Sequence, residues 1–337
     1  GELKVISPRR HGIEYYASHH KGSFFILTNE NAKNFKLVKA RVASPGHEHW
    51  HEVLPHRADV MLTGMDTFED HLVLYERSGG LPHIRVSGAD GTSRVHYVNF
   101  PEPTYHFEPE GNHNFKSDRL RLKYSSLVTP HTVFDIHLDS GEWELKKEEE
   151  IIGYDKSQYV CDWIHATAPD GKRIPISIAY KKGLKLDGSN PTLLHGYGAY
   201  GAILDPEFYH HRVSLLDRGF VYAIGHIRGS SALGREWYED GKVLKKRNTF
   251  TDFIACAEHL IKEGFTSKDK LAIMGVSAGG LLVGACMTMR PDLFKAVIAK
   301  VPFMDAINSM SDPTIPLTTH EYDEWGNPAI REHFDYM

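Results

Sequence analysis

Cysteine is scarce in this sequence, with Cys161, Cys256 and Cys286 the only three among 337 residues. Widely spaced and odd in number, they imply no disulfide framework and fit a reducing, cytoplasmic setting. No apolar run approaches the roughly 18 residues of a spanning helix, so no membrane partner is expected. An excess of positive charge is also lacking: 39 Lys and Arg against 44 Asp and Glu leave a net charge of -5, with no basic footprint for nucleic acid. The opening Gly1-Glu2-Leu3-Lys4 has neither an initiator Met nor the apolar stretch of a signal peptide, so the chain reads as beginning partway into something longer. What is present is ordinary for a globular protein, at 41% hydrophobic and 25% charged residues. The length suffices for one large or two ordinary domains.

Two textures meet near residue 155. Before it, short β-rich units recur with turn residues between them. The first runs from Phe24-Phe25-Ile26-Leu27-Thr28 across Asn31 to Leu37-Val38, and the second from Leu72-Val73-Leu74-Tyr75 across Gly79-Gly80 to Ile84-Arg85-Val86. The third runs from Leu120 to Tyr124, through Val133 to Ile136, and on to Asp139-Ser140-Gly141. The step from residue 24 to 72 to 120 is 48 each time. A period in the 40s built from strand pairs suits propeller blades, with an irregular antiparallel sandwich as the alternative. After Asp155, a hairpin is expected around Pro169-Asp170-Gly171-Lys172. Buried-looking strands then alternate with helices: strands at Pro191–Leu194, Phe220–Ile224, Leu271–Met274 and Ala296–Ala299, and helices from Thr251 to Glu263 and Gly279 to Thr288. That alternation predicts a mostly parallel sheet with helices on both faces. The division expected is residues 1–155 and 156–337.

Gly275-Val276-Ser277-Ala278-Gly279 lies between a buried strand and an apolar helix, the context of a nucleophile elbow. So tight a turn forces strain on the serine and tolerates only tiny neighbours two residues either side. It exposes the Ser277 hydroxyl and sets the Ala278 N–H at a helix N-terminus, where it can stabilise an oxyanion. His195-Gly196-Tyr197-Gly198-Ala199-Tyr200-Gly201 follows an apolar strand, and a Tyr hydroxyl of this stretch could act as a second donor. Taken alone, that stretch reads more readily as a flexible turn.

Two acidic groups stand out: Glu321-Tyr322-Asp323-Glu324-Trp325, and the pair Asp205 and Glu207. Beside a peptidase site such carboxylates would select a cationic side chain, with Arg pairing bidentately; acidic clusters in general are more often solvated surface. His47, His49 and His51 alternate as on one face of a strand, with Trp50 as an ordinary strand residue. No carboxylate or Cys geometry accompanies them, so no metal and no cofactor is expected. A hydrolase of this type orders its triad Ser, Asp, His. Only 60 of the 337 residues follow Ser277. The candidates there are Asp305, Asp312 and Asp323, with His320 and His333; Asp305 is a geometrically conceivable acid, and its matching His333 falls in a charged tail. The expectation is instead that the acid and the base lie outside this chain.

At this point the residues resemble the prolyl oligopeptidase family of serine peptidases. The resemblance is carried by His195 to Gly201, Ser214-Leu215-Leu216-Asp217-Arg218-Gly219, Arg228-Gly229, Leu233-Gly234, Trp237-Tyr238, Arg290-Pro291-Asp292-Leu293-Phe294 and Glu324-Trp325-Gly326-Asn327-Pro328. Leu244 to Phe250 and Ile315 to Thr319 resemble the branch of that family that cuts after Arg or Lys. The match is nearly continuous from about residue 155 to 328 and looser before it. It implies an α/β-hydrolase preceded by a partial β-propeller, about three blades of an expected seven. It implies Ser277 as nucleophile, and Tyr197 with the Ala278 N–H as oxyanion hole. Glu321 helped by Asp323 would form the pocket for a basic P1 side chain, and Asp205 with Glu207 would serve a second basic side chain at P2. The implied substrates are short basic peptides. Ser230-Ser231-Ala232 departs from a loop that is usually glycine-rich and contains an acid. The alternatives are a post-proline-cleaving peptidase, a catalytically incomplete fragment acting as an interaction module, and, more distantly, a lipase or esterase. Oligomeric state is not legible in the sequence.

Overall fold

The computed structural model describes residues 4–337. The N-terminal part consists of three consecutive four-stranded antiparallel sheets, each a meander in chain order. The first contains β1 (Tyr15–His20), β2 (Ser23–Thr28), β3 (Lys36–Arg41) and β4 (His51–Leu54). The second contains β5 (Val60–Thr67), β6 (His71–Ser78), β7 (Leu81–Gly88) and β8 (His96–Tyr97). The third contains β9 (His106–Pro109), β10 (Arg119–Ser125), β11 (Thr132–His137) and β12 (Trp143–Glu148). The 48-residue step marks the second strand of each sheet, and its three hairpins are β2–β3, β6–β7 and β10–β11.

Burial explains why these sheets read as propeller blades. The middle sheet is covered on both faces, so β6 is buried at seven successive positions. One face meets the first sheet through Phe25, Leu27, Leu37, Leu62, Leu72 and Leu74. The other meets the third through Val73, Ile84, Val86, Leu120, Leu122 and Ile136. In the third sheet β10 alternates, with Arg119 and Arg121 exposed and Leu120 and Leu122 buried, as a strand covered on one face should.

The His47, His49 and His51 alternation is not a strand face. His47–His49 forms a 3-10 turn after Gly46, and β4 begins only at His51. At three residues per turn the His47 and His49 side chains diverge; His47 faces Glu30 and His49 faces Glu48. Trp50 precedes the strand, donates through Nε1 to the Pro45 carbonyl at 2.9 Å, and packs edge-on against Tyr15 and His47.

The second part is a six-stranded sheet in the order β13-β14-β16-β15-β17-β18. Along the chain run β13 (Tyr159–Thr167), β14 (Arg173–Lys181), β15 (Thr192–His195), α1 (His210–Asp217), β16 (Val221–Gly225), α2 (Arg235–Glu239) and α3 (Arg247–Lys262). There follow β17 (Leu271–Val276), α4 (Ala278–Met289), β18 (Ala296–Lys300), α5 (Ala306–Ser311), α6 (Tyr322–Trp325) and α7 (Arg331–Tyr336). The expected hairpin is β13–β14, which meets β16 antiparallel; β16, β15, β17 and β18 are parallel. Phe253, Ala257 and Leu260 of α3 and Leu282, Val283 and Cys286 of α4 close the main core over Ile174, Ile176, Leu194, Ala223 and Ile273. In this stretch β18 pairs with β17, and Ala296, Ile298, Ala299 and Lys300 are exposed.

Candidate active site

The turn between β17 and α4 is built around three glycines. Ser277 takes φ 57 and ψ −117, a strained conformation for a residue with a side chain, and it is exposed while Ala278 and Gly279 behind it are buried. A Cβ on Gly275 would stand 1.8 Å from the Gly279 carbonyl oxygen, one on Gly279 2.7 Å from that of Gly196, and one on Gly280 2.4 Å from the Pro302 side chain. The strain is held by hydrogen bonds on both sides of Ser277. Its N–H donates to the Lys300 carbonyl at 3.0 Å, and its carbonyl accepts from Gly280 N at 2.8 Å and Phe303 N at 3.0 Å. Ala278 is the first residue of α4, where the backbone N–H has no intrahelical acceptor.

The loop after β15 carries Tyr197 over this turn, its ring 3.5 Å from where a Gly279 Cβ would be. Tyr197 packs with Ala199, Ala278, Met310 and Trp325. Burial raises its phenol pKa, the nearby Ser277 side chain opposes part of that rise, and Glu324 and Glu321 add to it, so at neutral pH it keeps the proton an oxyanion donor needs. Buried Lys246 donates through Nζ to the Gly198 carbonyl and lies 4.8 Å over the Trp325 ring. Burial pushes its pKa down to about 8, with Glu324 opposing. Below that loop, buried Asp252 receives Arg228 through Nε, Nη2 and the backbone N–H, and Arg228 Nη1 reaches Asp170 at 2.6 Å. Ser230-Ser231-Ala232 sits in the same layer, with Ser231 N donating to the Gly201 carbonyl.

The acidic run divides according to burial. Glu321 is partly exposed and accepts from Tyr200 Oη at 2.9 Å and Trp325 Nε1 at 3.1 Å. Asp323 is exposed and makes no ion pair among the described residues. Glu324, which the sequence reading did not single out, is buried; it accepts from Tyr200 N at 2.9 Å and Tyr238 Oη at 2.6 Å. Asp205 and Glu207 line a cleft of about 650 Å³ that reaches Val276, next to Ser277. Asp205 is already engaged, accepting from Arg77 Nη2 at 2.7 Å. In the same cleft the His195 pKa falls to about 4, through burial and then the charges of Arg212 and Lys300, and Nδ1 lies 3.0 Å from Tyr222 Oη.

Asp305 and His333 are not brought together. Asp305 caps α5 by accepting from Asn308 N, while His333 Nδ1 accepts from Asn327 N at 2.9 Å. Neither bonds to Ser277 among the described residues. One Ser–His contact does occur, Ser177 Oγ to His226 Nε2 at 2.7 Å, continued by Thr104 Oγ1 at 2.8 Å. Ser177 is fully buried, and burial pushes the His226 pKa down to about 3. It is an internal hydrogen-bond chain with no route for substrate.

A strained, exposed serine at the strand-to-helix turn of a largely parallel sheet, joined to propeller blades, defines an α/β-hydrolase carried with a β-propeller. A model described as the prolyl oligopeptidase family matches residues 206–337, and one described as the prolyl oligopeptidase N-terminal beta-propeller domain matches residues 2–149. The chain belongs to the prolyl oligopeptidase family. It is similar to dipeptidyl aminopeptidase BI of Pseudoxanthomonas mexicana, 44% identical over 100% of the chain and 47% of that protein. It is also similar to Protease 2 of Moraxella lacunata, 39% identical over 99% of the chain and 48% of that protein. Among solved structures, oligopeptidase B from Trypanosoma brucei with covalently bound antipain matches at TM-score 0.91 and 40% identity, over 100% of this chain and 49% of that one. Oligopeptidase B from Leishmania major matches at 0.92 and 40%, over 100% and 48%. The chain thus spans about half the length of the relatives it matches. No helix among the described residues is long and apolar enough to cross a membrane.

Proposed function

We propose that this chain is the nucleophile-bearing portion of a cytoplasmic serine oligopeptidase that hydrolyses short peptides on the C-terminal side of Arg or Lys. Residues 1–155 form part of the gating propeller and 156–337 part of the peptidase domain. After a His base takes its proton, Ser277 Oγ attacks the scissile carbonyl, and Tyr197 Oη with the Ala278 N–H stabilises the oxyanion. Departure of the amine leaves a Ser277 ester, which water cleaves. Glu321, with exposed Asp323, receives the basic P1 side chain; Asp205 and Glu207 face the P2 side chain. The observation that carries the specificity is the Glu321 carboxylate, partly exposed beside the Tyr197 loop and already oriented by Tyr200 and Trp325. The kinship with oligopeptidase B supports the same reading.

The test is turnover by the full-length protein of chromogenic peptides ending in Arg, Lys or Pro. Arg and Lys substrates are expected to be preferred, and Glu321→Gln to raise KM for them. Equal or faster cleavage after Pro would overturn the specificity. A fluorophosphonate probe applied to residues 1–337 addresses the second reading, a catalytically incomplete module. Absent labelling at Ser277 fits a base lying outside this stretch, and stoichiometric labelling places one within it.

A further inference from the structure

His106 of β9 has both ring nitrogens wholly buried, and neither has a hydrogen-bond partner. The side chain keeps 16% of its surface exposed, but its two covered nitrogens meet only carboxylates, at ion-pair separations. Its surroundings are arranged in two tiers. Nε2 faces two carboxylates, Glu108 Oε1 at 3.6 Å and Glu207 Oε1 at 3.8 Å. Nδ1 faces a third, Asp205 Oδ2 at 3.4 Å, whose other oxygen is held by Arg77.

From these distances we propose a divalent metal site formed by His106 Nε2, Glu108 and Glu207, of the class that takes Zn²⁺ or Co²⁺. One donor atom from each of the three residues lies within 4.8 Å of the others. Separations of 3.6 and 3.8 Å are too long for hydrogen bonds. They suit two ligands of one ion, because bonds of roughly 2.0–2.2 Å place neighbouring ligand atoms about 3.0 Å apart at right angles and about 4.2 Å apart in line. One imidazole with two carboxylates is a donor set for such ions, and three protein ligands leave a further position for water. Asp205 completes the pattern: a carboxylate on the remote nitrogen of a ligating His fixes its tautomer and raises its basicity.

The fold favours this assembly. His106 and Glu108 are two apart on one strand and so share a face, while Glu207 comes from the loop between β15 and α1. The ion would tie the third blade to the hydrolase sheet. Glu108 is half exposed, and its Oε2 accepts from Lys123 Nζ at 3.1 Å while Oε1 faces His106. The charged groups facing the site are Asp205, Glu207, Glu108, Arg77 and Lys123, with Arg212 donating to the Glu207 carbonyl.

The proposal stands on this geometry; because Glu207 and Asp205 also face P2 in the peptidase reading, an ion here and a basic P2 side chain would exclude each other. The test is titration of chelator-stripped protein with Zn²⁺ by calorimetry and with Co²⁺ by visible absorption. One equivalent is expected, with a Co²⁺ ligand-field band. Binding should weaken at least tenfold in His106→Ala, Glu108→Gln and Glu207→Gln, and 10- to 100-fold in Asp205→Asn. His49→Ala, at an exposed histidine elsewhere, should bind as the parent does. Absence of a saturable equivalent would overturn the site. So would tight binding that persists in both His106→Ala and Glu207→Gln, each shown by circular dichroism to be folded.

Discussion

Tyr197 and Ala278 reach Ser277 from different elements, one from the loop after β15 and the other from the first turn of α4. An oxyanion donor acts on the transition state and not on the bound substrate. Tyr197→Phe in the full-length protein should therefore lower kcat by about 10²- to 10³-fold with little change in KM; a pure KM effect would assign Tyr197 to substrate binding instead. Ser277 was legible because its glycines are a steric requirement visible in the sequence. Glu324 was not. Along the four-residue helix α6, successive side chains point about 100° apart, and nothing in Glu321-Tyr322-Asp323-Glu324 says which one turns inward. Burial makes Glu324 the carboxylate that fastens the Tyr200 backbone to Tyr238. Glu324→Gln should cost about 1.5–3 kcal/mol in urea unfolding, the range for hydrogen bonds to a charged group. A loss within error would mean that the neutral amide serves equally well.

The elements follow their hydrophobic patterns where those patterns are long. α3 and α4, the hairpin β13–β14 and the second strand of each blade were all readable, because each buries a continuous stripe or run. The outer strands of the blades were not: β8 has two residues and β9 four, too few to show any period. The elbow can be tested as an element. Gly275→Ala drives a Cβ to 1.8 Å from a backbone oxygen, which no rotamer relieves. A loss of about 3 kcal/mol or more in thermal or denaturant unfolding is expected from such overpacking. Gly22→Ala meets nothing within 4 Å and needs no positive φ, so it should stay within about 0.5 kcal/mol. Comparable losses at both positions would remove the steric argument for the turn.

At the scale of the molecule, the blades are fastened to the hydrolase sheet by polar contacts between residues far apart in sequence. Asn34 accepts from Arg235 N, Thr104 meets Ser177, and Arg77 pairs with Asp205. No local pattern announces these, because each partner alone looks like ordinary polar surface; Asp205 read from sequence was simply one half of an acidic pair. The Arg77–Asp205 pair has a definite pH signature. Burial would raise the Asp205 pKa, but His106 and Arg77 together hold it well below the usual carboxylate range. A carboxyl depressed in the folded state contributes stability that is fully present above its unfolded pKa, about 3.9, and is lost as pH falls through the folded value. The stability difference between the parent and Asp205→Asn should therefore shrink progressively below about pH 4, and it should also fall as pH rises from about 5 through the raised pKa of His106, because Asp205 is one of the carboxylates that hold the His106 proton. Urea unfolding of both proteins at pH 7, 5, 4 and 3 measures this directly. Metal must be excluded by chelator throughout, since an ion at His106 would add its own pH dependence. A difference that stayed constant down to pH 3 would mean that Asp205 keeps an ordinary pKa and that the ion pair does not hold the two halves together.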